Sequence, residues 1–444
     1  MKHSVLLLFL LMSASHLWSQ SWSLKIGGPY EDCIRSLCTT ERGFVYFSGI
    51  EKRNSGLGKA FVGLANSEGK LQWLKKVDFN DIFTFPAILS HQEAGLLFVT
   101  RKSGLWLSKI SSQGALEWQC QYEVTGDLRE PKACLLADGI FVLLQLKKGK
   151  DESLALLKID FSGELLWSKY IDAAGQQHSQ DISAHPAGGA VIVSSSIPGP
   201  SFFSRVITTI SRKLRLHRLR RLVQGRPVDE AFIMRINGDG QIVWQKRLVA
   251  KEDCNLNAVS VAADGSILVS GVTLSSNRNF KGTPFAMLLS ASYEVQWQYF
   301  IQGSDAGAAM SNAALDKGFA IGGFRRVAKR DIDMWYCRIE KSGQLKESMR
   351  LGTKGGESQA YVARGPKNTL LIAGGMHKGE DKNIDGFLCQ LDEGAKLTGL
   401  SEKATAACHS ESCELRPILV DFFPLGVTKT KSTVQLEVFD YSND

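Results

Sequence analysis

The chain has 444 residues, 44% of them hydrophobic and 22% charged, and its 53 Lys+Arg against 45 Asp+Glu give a formal charge of +8. That is the composition of a globular protein and excludes collagen-like, low-complexity and disordered classes. The length admits two or three ordinary domains or one closed repeat array, and the odd count of nine cysteines leaves at least one unpaired.

In chain order, Met1-Lys2-His3 followed by the apolar run Val5 to Met12 reads as a secretory signal peptide over residues 1–19, with the mature chain starting at Gln20 or Ser21. The run is too short to span a bilayer, and no later stretch is long and apolar enough to do so. The expectation is export to the bacterial periplasm or cell exterior, with no transmembrane helix. No cysteine follows the leader, which argues against a lipoprotein anchor.

From residue 20 to about 400 one pattern returns every fifty residues or so. Gly69 precedes Trp73 by four positions, as Gly114 precedes Trp118, Gly163 precedes Trp167 and Gly240 precedes Trp244. Trp297 follows Tyr293 at the same offset, Gly343 leads to Glu347, Gly394 leads to Thr398, and Trp22 stands alone near the start. A fixed period of this size marks stacked supersecondary units. The copy from Asp253 to Tyr299 shows the grammar: Asp253 to Val259, a turn at Asp264-Gly265, Ser266 to Gly271, a variable loop, Phe285 to Leu289, a tight turn, and Glu294 to Tyr299. These are four short β-prone stretches joined by turn residues.

Four antiparallel strands per unit with no helices between them predict an all-β fold, a β-propeller. The spacing predicts seven four-stranded blades over residues 20–400, closed by the N-terminal strand at Trp22. An eight-bladed ring is the alternative; it would recruit the C-terminal tail, 401–444, where Pro417 to Phe423 and Thr433 to Tyr441 have strand character. The indoles read as outer-strand side chains docking on the next blade, with a sugar-binding aromatic ring as the competing reading. Cys337 and Cys389 read as core fillers, Cys33 matches Cys254, Cys38 matches Cys134, and Cys408 with Cys413 is the disulfide candidate.

The segments Leu157-Lys158-Ile159-Asp160-Phe161-Ser162-Gly163-Glu164-Leu165-Leu166-Trp167 and Met234-Arg235-Ile236-Asn237-Gly238-Asp239-Gly240-Gln241-Ile242-Val243-Trp244 resemble the quinoprotein-type (PQQ-like) propeller repeat, and more closely its secreted, non-enzymatic bacterial branch. The resemblance implies the fold over residues 20–400 and a scaffolding or binding role. The quinone-dependent enzymes of the family need an adjacent Cys-Cys pair and clustered calcium ligands; this chain has no Cys-Cys dipeptide, so no cofactor is expected.

Catalytic signatures are missing from the sequence: no H-E-x-x-H, no G-x-S-x-G, no phosphate-binding loop with its lysine and no EF-hand loop. Asn237 to Gly240 has its glycine one place off a sialidase Asp-box and reads as a turn, and His178 and His185 read as loop histidines rather than a metal pair. Asp32, Asp81, Asp127, Asp181, Asp253, Asp305 and Glu357 recur where first strands are predicted to begin. They read as turn-capping acids, the competing reading being carboxylates gathered at the channel mouth for a carbohydrate hydrolase or lyase.

Charge gives the partner-binding expectation. The long connections from second to third strands are basic, with Arg325, Arg326, Lys329 and Arg330 in one of them. The step from Trp167 to Trp244 is about 26 residues longer than its neighbours, and the excess, residues 198–227, carries Arg212, Lys213, Arg215, Arg218, Arg220 and Arg221 with no acid. The sequence reading is a non-enzymatic exported propeller that engages a protein or anionic envelope component through this face, with peripheral contact to an anionic membrane as one form of it. Nucleic acid is not expected, because no stacking aromatics are interleaved with the bases.

Overall fold

In the computed structural model, the described residues are 22–27, 30–52, 58–82, 85–101, 104–124, 126–148, 151–172, 176–197, 230–249, 253–274, 282–302, 307–328, 331–352, 357–377 and 384–392, with tail segments 407–409, 414–417, 421–424, 427–431 and 436–438. Seven antiparallel sheets form a β-propeller. Blade V is typical, its strands Asp253–Val261, Ile267–Leu274, Gly282–Leu289 and Val295–Gln302 lying side by side in chain order. The innermost strands of blades I to VII are Glu31–Thr39, Ala87–His91, Lys132–Leu136, Gln176–Ala184, Asp253–Val261, Gly307–Leu315 and Tyr361–Arg364. Each contacts the next, and the seventh contacts the first, so they enclose a central channel.

The fourth strand of blade VII is Trp22–Ile26, paired antiparallel to Ile384–Leu391 with Trp22 opposite Gln390. The N-terminus therefore closes the ring, as the spacing predicts, and it occupies the place that the Gly394–Thr398 copy is predicted to fill. Both of those residues lie outside the described ones.

The tail builds no eighth blade. It runs back around the rim: Ala407–His409 pairs with the outer strand of blade V, Glu414–Pro417 with that of blade IV, Asp421–Pro424 with blade III, Val427–Lys431 with blade II and Leu436–Val438 with blade I. Its short strands, about seven residues apart, each cover one sheet edge that would otherwise present unpaired backbone groups. The two tail stretches expected from sequence thus fall on three of five separate strands, Glu414–Pro417, Asp421–Pro424 and Leu436–Val438.

The Gly–Trp repeat has a specific physical basis. The glycine and the tryptophan four residues after it do not serve each other. A Cβ on Gly69 would fall 2.3 Å from the Trp22 ring, and one on Gly240 would fall 2.5 Å from Trp167, so each glycine makes room for the indole of the preceding blade. Both hold left-handed φ, +79° and +68°, which glycine adopts without penalty. Trp22, Trp73 and Trp297 donate their indole N–H to the carbonyls of Ser67, Ser112 and Lys341 on the next blade at 3.0, 2.9 and 2.9 Å. At the blade IV–V junction Tyr293 replaces the glycine, with φ +66°, and its ring stacks on Trp244 at 4.7 Å. The docking reading of the indoles is the correct one.

Among the described residues, the junction of blades VI and VII alone has no indole. Glu347 stands there, accepting from the Tyr336 hydroxyl at 2.6 Å and lying 3.4 Å from Arg338 Nε. The Arg338 guanidinium makes the reach across instead, donating to the carbonyls of Leu391 and Asp392 at 3.0 and 3.1 Å. The blade faces meet through aliphatic and aromatic side chains here as elsewhere: Met334, Tyr336, Val362 and Phe387 join blades VI and VII, as Phe141, Leu154, Ile192 and Phe232 join blades III and IV.

The seven described cysteines are thiols, and Cys337 and Cys389 are core residues. The pairing corrects one alignment: Cys33 lies opposite Ile50 and Asn255 opposite Val272, so Cys33 matches Asn255 rather than Cys254. Cys413, and the Cys408 side chain with it, lies outside the described residues. So do residues 1–19 and the basic insertion 198–227. Among the described residues no helix is long and apolar enough to cross a membrane.

Candidate functional site

The channel is built from a repeated irregularity. The inner strands of blades I, IV, V and VI slip register between Ile34 and Ser36, Ser179 and Asp181, Leu256 and Ala258, and Ala309 and Ser311. A β-bulge leaves one residue out of the ladder and re-aims its side chain. Arg35, Asn257 and Met310 are the extra residues of blades I, V and VI, and all three line a channel cavity of about 210 Å³. In blades II and III, Pro86 and Pro131 lie just before the inner strands and line it too; neither carries an N–H for the ladder.

The polar groups of the cavity come from different blades. Arg35 pairs with Glu130 at 3.3 Å, and Lys132 Nζ is 3.9 Å from the other Glu130 oxygen. The Arg35 guanidinium lies 3.3 Å over the Phe85 ring and 5.8 Å from that of Tyr361. The Tyr361 hydroxyl donates to Gln359 Oε1 at 2.6 Å, and burial raises its pKa above the ordinary phenol range. Asp181, on the inner strand of blade IV, accepts the Val259 N–H of blade V at 2.9 Å. Burial raises its carboxyl to about 6, against the opposing pull of Lys132. Asn257 gives its amide N–H to the Ala309 carbonyl at 2.8 Å, which leaves its oxygen as an acceptor.

The expected ring of equivalent acids does not form. Asp181 sits at the bulge, level with Ser36 and Ser311, whereas Asp32 lies opposite Glu51 at the start of its strand. Asp81 belongs to the outer strand Leu71–Ile82, Asp127 to a two-residue strand, and Glu357 precedes the inner strand of blade VII. The match fails because spacing along the chain cannot count a bulge, and blade I and blade IV place their acids on different sides of it. Asp305 lies outside the described residues. Of the six others only Asp181 lines the cavity. Glu130, which the sequence reading overlooked, is the second carboxylate there; the following Pro131 was its only visible sign.

Other candidates resolve as local structure. His185 accepts the Ala187 N–H at 3.1 Å within its own hairpin, and burial with the nearby Arg235 lowers its pKa to about 4. Asn237 accepts from the N–H groups of Asp239 and Gln241, which makes the Asn237–Gly240 segment an Asx turn. Among the described residues no group of His, Cys, Asp and Glu is placed to hold a metal ion.

On the long-loop face Arg325 departs from expectation. It is 1% exposed, in the strand Gly318–Ala328, with its guanidinium 5.5 Å from the Trp335 ring, so it is a packing residue rather than a partner-facing one. Its neighbour Arg326 is exposed. Lys329, Arg330 and the six insertion bases Arg212, Lys213, Arg215, Arg218, Arg220 and Arg221 lie outside the described residues.

No family model matches the chain, and no curated protein matches it. Solved structures do. The polysaccharide lyase Uly1 is 9% identical over 82% of this chain and 90% of its own, with a TM-score of 0.47. Sqt1 from Chaetomium thermophilum is 9% identical over 84% and 100%, with a TM-score of 0.48. A neuraminidase-like protein of subtype N10, from A/little yellow-shouldered bat/Guatemala/060/2010, is 10% identical over 69% and 94%, with a TM-score of 0.40. At such values none of them says what this chain binds or does. By its own sheets the chain is a seven-bladed β-propeller, closed by its N-terminal strand.

Proposed function

We propose that the protein is an exported binding or scaffolding propeller of the PQQ-like repeat type, non-enzymatic, which holds an acidic protein or anionic envelope component against its long-loop face and basic insertion. The supporting observation is topological. In every blade the second and third strands are antiparallel neighbours, so their connections leave the seven sheets on one face. That face gathers the basic connections, including Arg326 and the 198–227 insertion. The hydrolase or lyase reading has less support. It needs two carboxylates free to act on a substrate, and Glu130 is paired with Arg35 while Asp181 accepts a backbone N–H.

The test is co-sedimentation with native envelope fractions at low and high salt, comparing the full chain with one lacking residues 200–226. The reading expects salt-sensitive retention that the deletion abolishes. Equal retention of both chains overturns it.

A further inference from the structure

We infer that the channel cavity is a second, independent binding site, for an uncharged polyhydroxylated molecule of monosaccharide size. The argument begins with what each blade contributes at the level of the bulges. Blade I supplies Arg35, blade III supplies both Glu130 and Lys132, blade IV supplies Asp181 and blade V supplies Asn257. Positive and negative groups alternate around the wall rather than separating into poles. Arg35 already faces Glu130 at 3.3 Å, and Lys132 is the cation that acts on the Asp181 carboxylate. A charged ligand would bring a charge with no counterpart into a partly enclosed space, which is costly. A zwitterion needs a cationic pole set apart from an anionic one, and on this wall the opposite charges already face one another.

Hydrogen-bonding capacity is left over on this wall at Lys132 and Asn257. Lys132 has three N–H donors and only a 3.9 Å contact to Glu130. Asn257 commits its amide N–H to Ala309 and keeps its oxygen as an acceptor. Glu130 and Lys132 side chains are 39% and 33% exposed, so both are reachable. Donors and acceptors therefore alternate along the wall, and a hydroxyl is the group that can both give and take a hydrogen bond. A molecule with several hydroxyls on a small ring satisfies that alternation, whereas a purely donating or accepting ligand satisfies half of it. Size agrees: about 210 Å³ lies below the roughly 300–1,000 Å³ of sites for drug-sized ligands.

The experiment uses the full chain, with xylose, glucose, galactose and N-acetylglucosamine as probes and glycine and serine as zwitterion controls, followed by saturation-transfer NMR and titration calorimetry. At least one sugar is expected to bind, and the amino acids are not. Lys132→Met and Glu130→Gln are each expected to weaken that sugar roughly tenfold, with the sugar-free melting temperature close to that of the parent. If no sugar binds at about 50 mM, far above any useful dissociation constant, the inference is wrong. It is equally wrong if glycine or serine binds more tightly, or if both variants bind sugar undiminished. Loss of sugar binding in these variants leaves envelope retention untouched, so this site and the long-loop face stand or fall separately.

Discussion

Arg35 and Phe85 meet across the seam between blades I and II, with the guanidinium carbon 3.3 Å from the ring centroid. The bulge that takes Arg35 out of its ladder aims it at this ring. The pair thus ties the channel wall to the contact between two blades. Cation–π contacts are worth about 0.5–2 kcal/mol, depending on how far they are desolvated. A double-mutant cycle with Arg35→Met and Phe85→Leu, read by urea unfolding, should show coupling in that range. Coupling near zero would mean the stacking contributes nothing beyond area.

Asp181 carries the pH prediction. Its folded pKa of about 6 lies above the ordinary 3.8, so the fold favours the neutral acid. That contribution is fully present below the unfolded pKa and is lost as pH rises through about 6. Asp181→Asn keeps an acceptor for the Val259 N–H and removes the titration. Relative to this variant the parent should lose stability between about pH 4 and pH 6, by at most about 3 kcal/mol, and then level off. A difference that stays flat from pH 4 to 7 would contradict the burial argument.

Two glycines separate backbone strain from steric exclusion. Gly188 has φ +79° and open space around the position a Cβ would take, with nothing within 4 Å, whereas a Cβ on Gly240, at φ +68°, meets Trp167 at 2.5 Å. Gly188→Ala should cost about 1 kcal/mol, the left-handed penalty alone. Gly240→Ala should cost roughly 2–4 kcal/mol, since overpacking adds to that penalty. Equal losses in thermal or urea unfolding would show that the glycines serve the turn and not the indole.

The tail strands make a prediction about association. A chain ending at residue 406 loses the strands on five blades while keeping all four strands of each. It should fold, since the blade faces remain intact, but expose outer strands that invite edge pairing. Light scattering should find it self-associating at concentrations where the full chain is monodisperse. A truncated chain that stays as dispersed as the parent would show that the outer edges need no cover.

The ring was legible in the sequence because its signal is both periodic and local. Gly240 and Trp244 recur at a fixed offset, and turn pairs such as Asp264-Gly265 need no tertiary context. The partner of each was not legible: that Gly240 serves Trp167 is a relation across 73 residues, visible only when blades are stacked. The channel was hidden for a different reason. A bulge adds one residue without altering composition, so Asp32 and Asp181 align by eye and separate in space. The tail was misread as two strands because Pro417 to Phe423 is continuous in β propensity. In the fold that stretch divides between blades IV and III.

The rim strands also bear on how the ring is held together. They run like a hoop from blade V back to blade I, and the N-terminal strand stitches blade VII at the other side. Among the described residues no rim strand pairs with the outer strand of blade VI, Leu345–Leu351. The same blade meets blade VII without a docked indole: Arg338 reaches across to the Leu391 and Asp392 carbonyls, while its ion-pair partner Glu347 belongs to blade VI itself. The gap in the hoop therefore lies beside the seam that, among the described residues, has no docked indole, although side chains such as Met334, Tyr336, Val362 and Phe387 still pack across it. Among those residues blade VI thus lacks both a rim strand on its outer edge and a docked indole on its following seam, so its hold on blade VII rests on apolar packing and the Arg338 reach.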